Sequence, residues 1–460
     1  MRTRHTSAGR LAIAFLIPLL GAGCIQRLPD AEAGDVPGLR AQLQERPGDL
    51  PLQTRLDIAL YKAGQHEEAI ATLTPVIAAG EASGAAYLYV GLANEELENW
   101  GAARDAYSSY IDTGRFDPLK DQLRGRLALI VRRELQEQAR QALAQEAQLS
   151  TQPPTVRSVA VFPFRLVSDN EELEPLQVAL ADMMITDLSL SNGLTVLERT
   201  QIQSLLDEMA LDEAGFTDDA NGARAGKLLR AEHVVQGALT TLGEQGIRFD
   251  ADVLNTQRGA AAGNMSQEEQ LDGLFDMEKA IVFQVLDILG VELTPAEREA
   301  INQNRAENLL AFLAYGRGLE AMDNGDFAAA SQFFNQAIQL DPGFDAARVQ
   351  GTQAGEMSDA ATTSTTQVAD QASAGAGTVS APPDATPPAG GADVSGTLAN
   401  VDQGVNPTPT AGTIDLGSTT TSSDTQNQNR DPVQESQNSD GVSKSTTKIV
   451  IQIRRPGTER

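Results

Sequence analysis

The chain has 460 residues, with 35 Lys and Arg against 63 Asp and Glu and a formal net charge of −28. That length allows roughly three domains, and so large a carboxylate surplus excludes a surface built to attract a phosphate backbone, hence a nucleic-acid partner. One cysteine excludes a disulfide framework or a Cys-cluster metal site, and His5, His66 and His233 are too scattered in sequence to assemble a His-based one.

Arg2, Arg4 and Arg10 form a cationic head before the apolar run 11–20, and Gly21, Ala22 and Gly23 lead into Cys24. The run is shorter than the roughly 20 apolar residues of a membrane helix, so residues 1–23 read as a cleavable export signal. Leu20-Gly21-Ala22-Gly23-Cys24 resembles the lipobox of bacterial lipoproteins, which implies that Cys24 is the lipidated first residue of the mature chain. Gly21 stands where the box usually has Leu, and an ordinary cleavage site at a small residue is the alternative. Ile25, in place of Asp, implies sorting to the outer membrane. Several acyl chains would hold the protein there stably, with residues 24–48 as a tether.

An internal repeat follows. Gly64-Gln-His-Glu-Glu-Ala69 and Trp100-Gly-Ala-Ala103 place Ala69 and Ala103 34 residues apart, and 34 residues is the period of the tetratricopeptide repeat. A third copy lies downstream, where Gly318, Gly325, Phe327, Ala330, Phe334, Ala337 and Pro342 resemble the same pattern. Small residues belong where paired helices cross, and aromatic residues fill the adjoining groove. Tyr61, Trp100, Tyr107, Tyr315, Phe327 and Phe334 are therefore the candidate protein-contact residues, because helical-repeat surfaces bind peptides and proteins. His66, beside Glu67 and Glu68, has no second ligand and reads as solvated.

Residues 49–150 form the first helical region, closed by one long amphipathic helix over 118–148 rich in Leu, Ala, Arg, Glu and Gln. Its cations Lys120, Arg124, Arg126, Arg132 and Arg133 read as a solvated face pairing with Glu134 and Glu137, with anionic lipid as the other option. Pro153-Pro154 marks a boundary. Over 155–292, strands at 156–164, 194–198, 234–241 and 247–253 interleave with helices at 173–190, 200–209, 220–229 and 271–289, an α/β sandwich. Residues 293–350 hold the C-terminal repeat unit. The expected fold class is multidomain α and α/β.

Val196-Leu-Glu198-Arg199-Thr-Gln201, continuing to Leu205-Leu206-Asp-Glu208, then Gly226-Lys227-Leu228-Leu229 and Val234-Val235-Gln-Gly237, resemble the text of the CsgG family, that of the curli-assembly outer-membrane lipoprotein. The opening Val159-Ala-Val161-Phe-Pro163-Phe164 is similar to the first strand of that family and of the TolB amino-terminal module. The resemblance spans about 156–289 and implies a periplasm-facing lipoprotein domain that assembles with protein partners and is not an enzyme. The family archetype inserts long amphipathic hairpins into the outer membrane. Here the one clear hairpin, 234–254, belongs to the sheet and has no aromatic girdle.

Chemistry-bearing motifs are weak. Gly222-Ala-Arg-Ala-Gly226-Lys227-Leu228 has three residues between its glycines where a phosphate loop needs four, and Leu228 where Ser or Thr must bind Mg²⁺. It reads as a helix packing closely through Ala223 and Gly226. Asp212, Glu213, Asp218 and Asp219 lack calcium-loop spacing, and His233 has no nucleophile in context. No cofactor and no metal are expected.

From 351 to 445 the chain is Thr, Ser, Ala, Gly, Gln, Asp and Pro, without an aromatic residue, and reads as a disordered linker. The final segment, 446–460, contains Thr447-Lys448-Ile449-Val450-Ile451-Gln452-Ile453-Arg454-Arg455, a strand pattern suited to an exposed sheet edge in this chain or in a partner. The sequence thus predicts a lipid-anchored, periplasm-facing scaffold of the CsgG type that meets membrane through its lipid and proteins through its repeats. An oligomeric secretion channel is the alternative.

Overall fold

The computed structural model describes residues 31–80, 82–112, 119–210, 218–243 and 245–374. Cys24, the terminal segment 446–460, the acidic pair Asp212 and Glu213, and the linker beyond 374 lie outside the described residues.

The N-terminal block is helical: α1 (Val36–Glu45), α2 (Leu50–Lys62), α3 (His66–Ala78), α4 (Gly84–Glu96) and α5 (Trp100–Ile111). Asp49 and Ser83 cap α2 and α4 by accepting from Leu52 N and Ala86 N, which satisfies amides that the first helical turn leaves without a partner. The repeat spacing has its physical counterpart in Ala69 and Ala103, both with no exposed surface. A Cβ on Gly91 would lie 2.5 Å from the Tyr107 ring, so α4 and α5 cross where only glycine fits. The expected tether is partly folded: α1 and the turn before it bury Ala31, Val36 and Leu39 against α2.

The long helix α6 (Leu119–Ala144) and the short α7 (Glu146–Leu149) lead into the α/β domain. Its strands are β1 (Thr155–Val161), β2 (Arg165–Val167), β3 (Thr195–Val196), β4 (Ala231–Leu242), β5 (Gly246–Asn255) and β6 (Ala260–Gln270). Its helices are α8 (Leu176–Ser189), α9 (Arg199–Glu208), α10 (Asp219–Leu228) and α11 (Leu274–Ile288). The sheet order is β3-β1-β4-β5-β6, with β2 also on β4; β1, β2, β3 and β4 run parallel, and β4-β5-β6 is an antiparallel meander.

Alternation along β5 buries Ile247, Phe249, Ala251 and Val253 and leaves Arg248, Asp250 and Asp252 half-exposed. Phe164 meets Phe249 edge-on at 4.6 Å. Helices α8 and α11 cover this buried face, and α10 covers the other side of β4. There, a Cβ on Gly226 would come 2.4 Å from Thr256 Cγ2, so the close packing expected of the glycine-containing segment is real. Strand β6 has no counterpart among the expected elements; only Met265 is buried along it, and it carries neither β-branched nor aromatic residues.

After α12 (Pro295–Gln303), the C-terminal block consists of α13 (Leu309–Asp323), α14 (Phe327–Leu340), α15 (Asp345–Thr362) and α16 (Thr365–Ala374). A Cβ on Gly318 would lie 2.5 Å from the Phe334 ring, the crossing that Gly91 and Tyr107 make in the N-terminal block. The helical region extends to 374 and not to 350. The alanines of 351–374 pack these helices together with Met357 and Val368: Ala354, Ala360, Ala369 and Ala372 are all buried.

Candidate interaction site

Helix α6 joins the blocks at either end of the chain, with α5 on one side and α15 on the other. Arg124, Arg126 and Arg132 are taken up by that junction and Lys120 donates to the Ile111 carbonyl, which corrects the expectation of a solvated face pairing with Glu134 and Glu137. Arg126 is buried, with Nη1 2.5 Å from Glu95 and Nη2 donating to the Thr363 carbonyl. Arg124 reaches Glu356 at 3.0 Å. Arg132 donates to the carbonyls of Met322 and Asp323, the last turn of α13. Glu134 pairs instead with Arg104 at 2.6 Å, and Glu137 with Arg140 at 3.6 Å.

Between these elements lies a cavity of about 300 Å³, lined by α4 and α5 (Glu95, Glu96, Trp100), α6 (Arg126, Arg133) and the turn between α15 and α16 (Thr363 to Thr365). Its polar wall is held in place. Tyr107 donates to Glu95 at 2.6 Å, and Thr365 donates to Glu96. Arg126 Nε, itself buried, meets no acceptor among the described residues. Arg133 is exposed and stacks 4.7 Å above the Trp100 ring, a cation over an aromatic face at the mouth of the cavity. Burial pushes Tyr61 up to about 12, although the Thr365 hydroxyl opposes the shift. Burial also raises Tyr107 well above its ordinary value, with the Glu95 carboxylate adding to it. Both phenols therefore stay neutral. The arrangement can seat a chain segment that presents an anionic group to Arg133 and an apolar side chain to Trp100 and Leu129.

The residues expected to contact partners divide sharply. Trp100 is half-buried at the cavity mouth. Tyr61, Tyr107, Tyr315, Phe327 and Phe334 are buried in the repeat cores, each less than a tenth exposed, so they shape the repeats and offer a partner little surface. Tyr61 packs edge-on to Tyr89 at 5.5 Å and against His66 at 5.2 Å, and His66 is half-buried where a solvated side chain was expected. Tyr315 donates to Asp182 at 2.6 Å, fixing the C-terminal repeat to α8. Glu95, Glu96 and the 363–365 turn were not legible as site residues, since only the tertiary fold brings them together.

Elsewhere, His233 lies in β4 with Nε2 3.3 Å from Asn255, and Lys227 is half-buried on α10. Among the described residues no helix is long and apolar enough to cross a membrane.

Residues 140–253 match the family model of the curli production assembly/transport component CsgG. The match runs from the end of α6 into β5 and contains the Glu198-Arg199 and Gly226-Lys227 segments that carried the resemblance in the sequence. The chain is also similar to a tetratricopeptide repeat protein of known structure from Parabacteroides merdae ATCC 43184, at 12% identity over 70% of this chain and 93% of that one, with a TM-score of 0.20. At that score the likeness carries no argument, and the repeat assignment rests on the helix crossings described above. Among curated proteins none matches the chain.

Proposed function

We propose that this chain, which carries a CsgG-family domain between helical-repeat blocks, is a scaffold that assists assembly or secretion of surface or envelope components through protein contacts. It is held by lipid on Cys24 at the periplasmic face of the outer membrane, works without a cofactor, and catalyses no reaction of its own. The observation that carries the reading is the cavity between the two repeat blocks: Trp100, Arg133 and the 363–365 turn offer a partner segment a rigid, mixed apolar and charged seat.

A second reading, an oligomeric secretion channel, draws on strand length. Strands β4, β5 and β6 have 12, 10 and 11 residues, close to the roughly 9 to 11 of a membrane-crossing strand. Against it, the apolar face of the meander is already used: Leu239, Phe249, Val253 and Met265 are buried under helices and are not free to face lipid.

The test is the mass and shape of the full-length protein extracted in mild detergent, by light scattering and negative-stain imaging. A monomer or small elongated oligomer that captures envelope proteins, with capture lost in Trp100→Ala, supports the scaffold. A ring with a central hole and ion conductance replaces it with the channel. Globomycin-sensitive fatty-acid labelling tests the anchor separately, and an unlabelled, soluble mature chain removes it.

A further inference from the structure

Arg157 and Arg230 both hold φ at +57°, a left-handed backbone that disfavours residues with a Cβ, and among the described residues Glu98 and Ala210 are the only other non-glycine residues that do so. Arg230 follows the C-terminus of α10, where its amide bonds the Lys227 carbonyl at 3.0 Å, a position that commonly takes glycine. Arg157 sits at the irregularity where β1 changes register against β4. Val156 beside it stands 76% exposed, the highest value for a large apolar side chain among the described residues.

The two arginines belong to one pole of the α/β domain, at the starts of β1 and β4. Thr155 N donates to the Arg230 carbonyl at 2.8 Å and Arg157 N to Glu232 Oε2 at 2.6 Å. The turn between β5 and β6 closes the same end: Thr256 donates to the Ala231 carbonyl at 2.7 Å and Gln257 to the Gln152 carbonyl at 3.4 Å. That turn brings the exposed Arg258, and the last turn of α10 brings Lys227. None of these four cations forms an ion pair among the described residues. Arg157 Nε donates to the Gly193 carbonyl at 2.6 Å, and Arg230 to the Pro153 carbonyl at 3.4 Å. The carboxylates of Glu232 and Glu297 at this pole accept from the amides of Arg157 and Asn192.

We propose that this pole is a membrane-surface contact, in which Arg157, Lys227, Arg230 and Arg258 meet the phosphates of anionic lipid headgroups and Val156 enters the interface between them. An anionic surface repels most of a chain of net charge −28, so one cationic pole decides which end approaches it. Cations around an exposed apolar side chain are the pattern of an interfacial contact, where charge and burial act together. The backbone points the same way: two positions that favour glycine carry arginine, and such strain collects where a side chain has work to do. The contact does not require lipid on Cys24. It sets the orientation of the domain at the surface.

The experiment uses the chain from residue 24 to 460 with Cys24→Ser, which removes the acylated residue and leaves no thiol, so the anchor and this contact are read separately. Val156→Cys then supplies the single thiol for an environment-sensitive fluorophore. With vesicles containing about one-third phosphatidylglycerol in phosphatidylcholine, the protein should bind and the label should shift to the blue, whereas phosphatidylcholine alone should give neither. The same label on Val349→Cys, an exposed apolar position on α15, should stay in water. Arg230→Gln together with Arg258→Gln, both exposed, should weaken binding roughly 25-fold, about fivefold per cation, at an unchanged thermal midpoint. Molar salt, which cuts the screening length to about 3 Å, should release the parent protein in the same way. No binding, an equal shift at the two labelled positions, or binding that survives molar salt or the loss of both arginines overturns the proposal. A shift produced by inorganic phosphate without vesicles overturns it in favour of a soluble anion.

Discussion

Arg199, the first residue of α9, donates to both carboxylate oxygens of Asp323, the last residue of α13, at 2.8 and 2.7 Å. Its Nε lies 3.3 Å from Asp182 on α8, which in turn accepts from Tyr315 on α13. Arg132 of α6 closes the same helix end by donating to its last carbonyls. Burial disfavours the Arg199 charge, but Asp323 and Asp182 outweigh it and hold the guanidinium further toward its protonated form. The C-terminal repeat is thus fixed to the α/β domain by one buried charge cluster.

Asp323→Asn leaves Arg199 buried with only Asp182 as counter-charge. Removing one partner of a buried pair costs about 3 to 5 kcal/mol, and the remaining carboxylate places this case near 3. Urea unfolding at pH 7 measures it. A loss under about 1 kcal/mol would mean that packing, not charge, holds the junction.

The sequence carried the repeat period and the sandwich because both write themselves in side-chain type: Ala69, Ala103 and Ala330 are fully buried, and Ile247 to Val253 alternate. It did not carry α1, whose contribution to the core is Val36 and Leu39 behind Pro37, nor β6, an edge strand with one buried side chain. Helices α15 and α16 were hidden by composition. A chain of Ala, Gly, Thr and Ser reads as unable to form a core, yet small residues suffice where another helix comes close enough. The cations of α6 misled for a related reason: Arg126 and Arg132 find their partners 237 and 190 residues away, and no local pattern announces that.

Closeness at the joint is sharpest at Gly125. A Cβ there would sit 1.9 Å from the Glu356 carbonyl oxygen and 2.4 Å from its carbon, so the backbones of α6 and α15 touch. Gly125→Ala must push α15 away, pulling on Arg124–Glu356 and on the Arg126 bond to Thr363. Overpacking of this kind costs about 1 to 3 kcal/mol. Limited proteolysis should cut within 345–374 while the α/β domain stays intact. Unchanged resistance would show that α15 can shift freely.

A second buried charge group makes stability depend on pH. Lys279 bonds Asp187 at 2.5 Å and the Asn304 carbonyl, and it also lies 3.0 Å from Glu278, whose oxygens accept no hydrogen bond. Burial, reinforced by the Asp187 charge, pushes Glu278 from near 4.5 up to about 8. The folded state therefore binds this proton more tightly than the unfolded state, and the contribution of Glu278 to stability falls as pH rises from about 4.5 to 8, then levels off. Glu278→Gln, a mimic of the protonated form, should be more stable than the parent at pH 8.5, by up to about 5 kcal/mol for a rise of roughly 3.5 units at about 1.4 per pKa unit. The difference should vanish near pH 4.5. Urea midpoints at the two pH values check it, and a pH-independent difference would refute the titration.

Asp57 stands 34 residues before Gly91, so in the first repeat it occupies the position where Gly91 and Gly318 admit an aromatic ring, and Leu73 takes the place of Tyr107 and Phe334. It is fully buried, and neither carboxylate oxygen has a hydrogen-bond partner among the described residues. Burial pushes it well above its ordinary value, so the folded protein binds this proton more tightly than the unfolded chain, and the contribution of Asp57 to stability falls as pH rises above about 4. A repeat crossing that takes glycine elsewhere should accept Asp57→Ala. An unpartnered buried polar group costs about 1 to 3 kcal/mol, which the substitution relieves, and the expected outcome is a gain of at least about 1 kcal/mol at pH 7 that fades toward pH 4. Thermal unfolding at the two pH values measures it. If the variant gains stability and keeps its protein partners, Asp57 is a tolerated defect of the repeat. If it gains stability and loses them, the strained position belongs to the binding function, as stability given up at a working site commonly does.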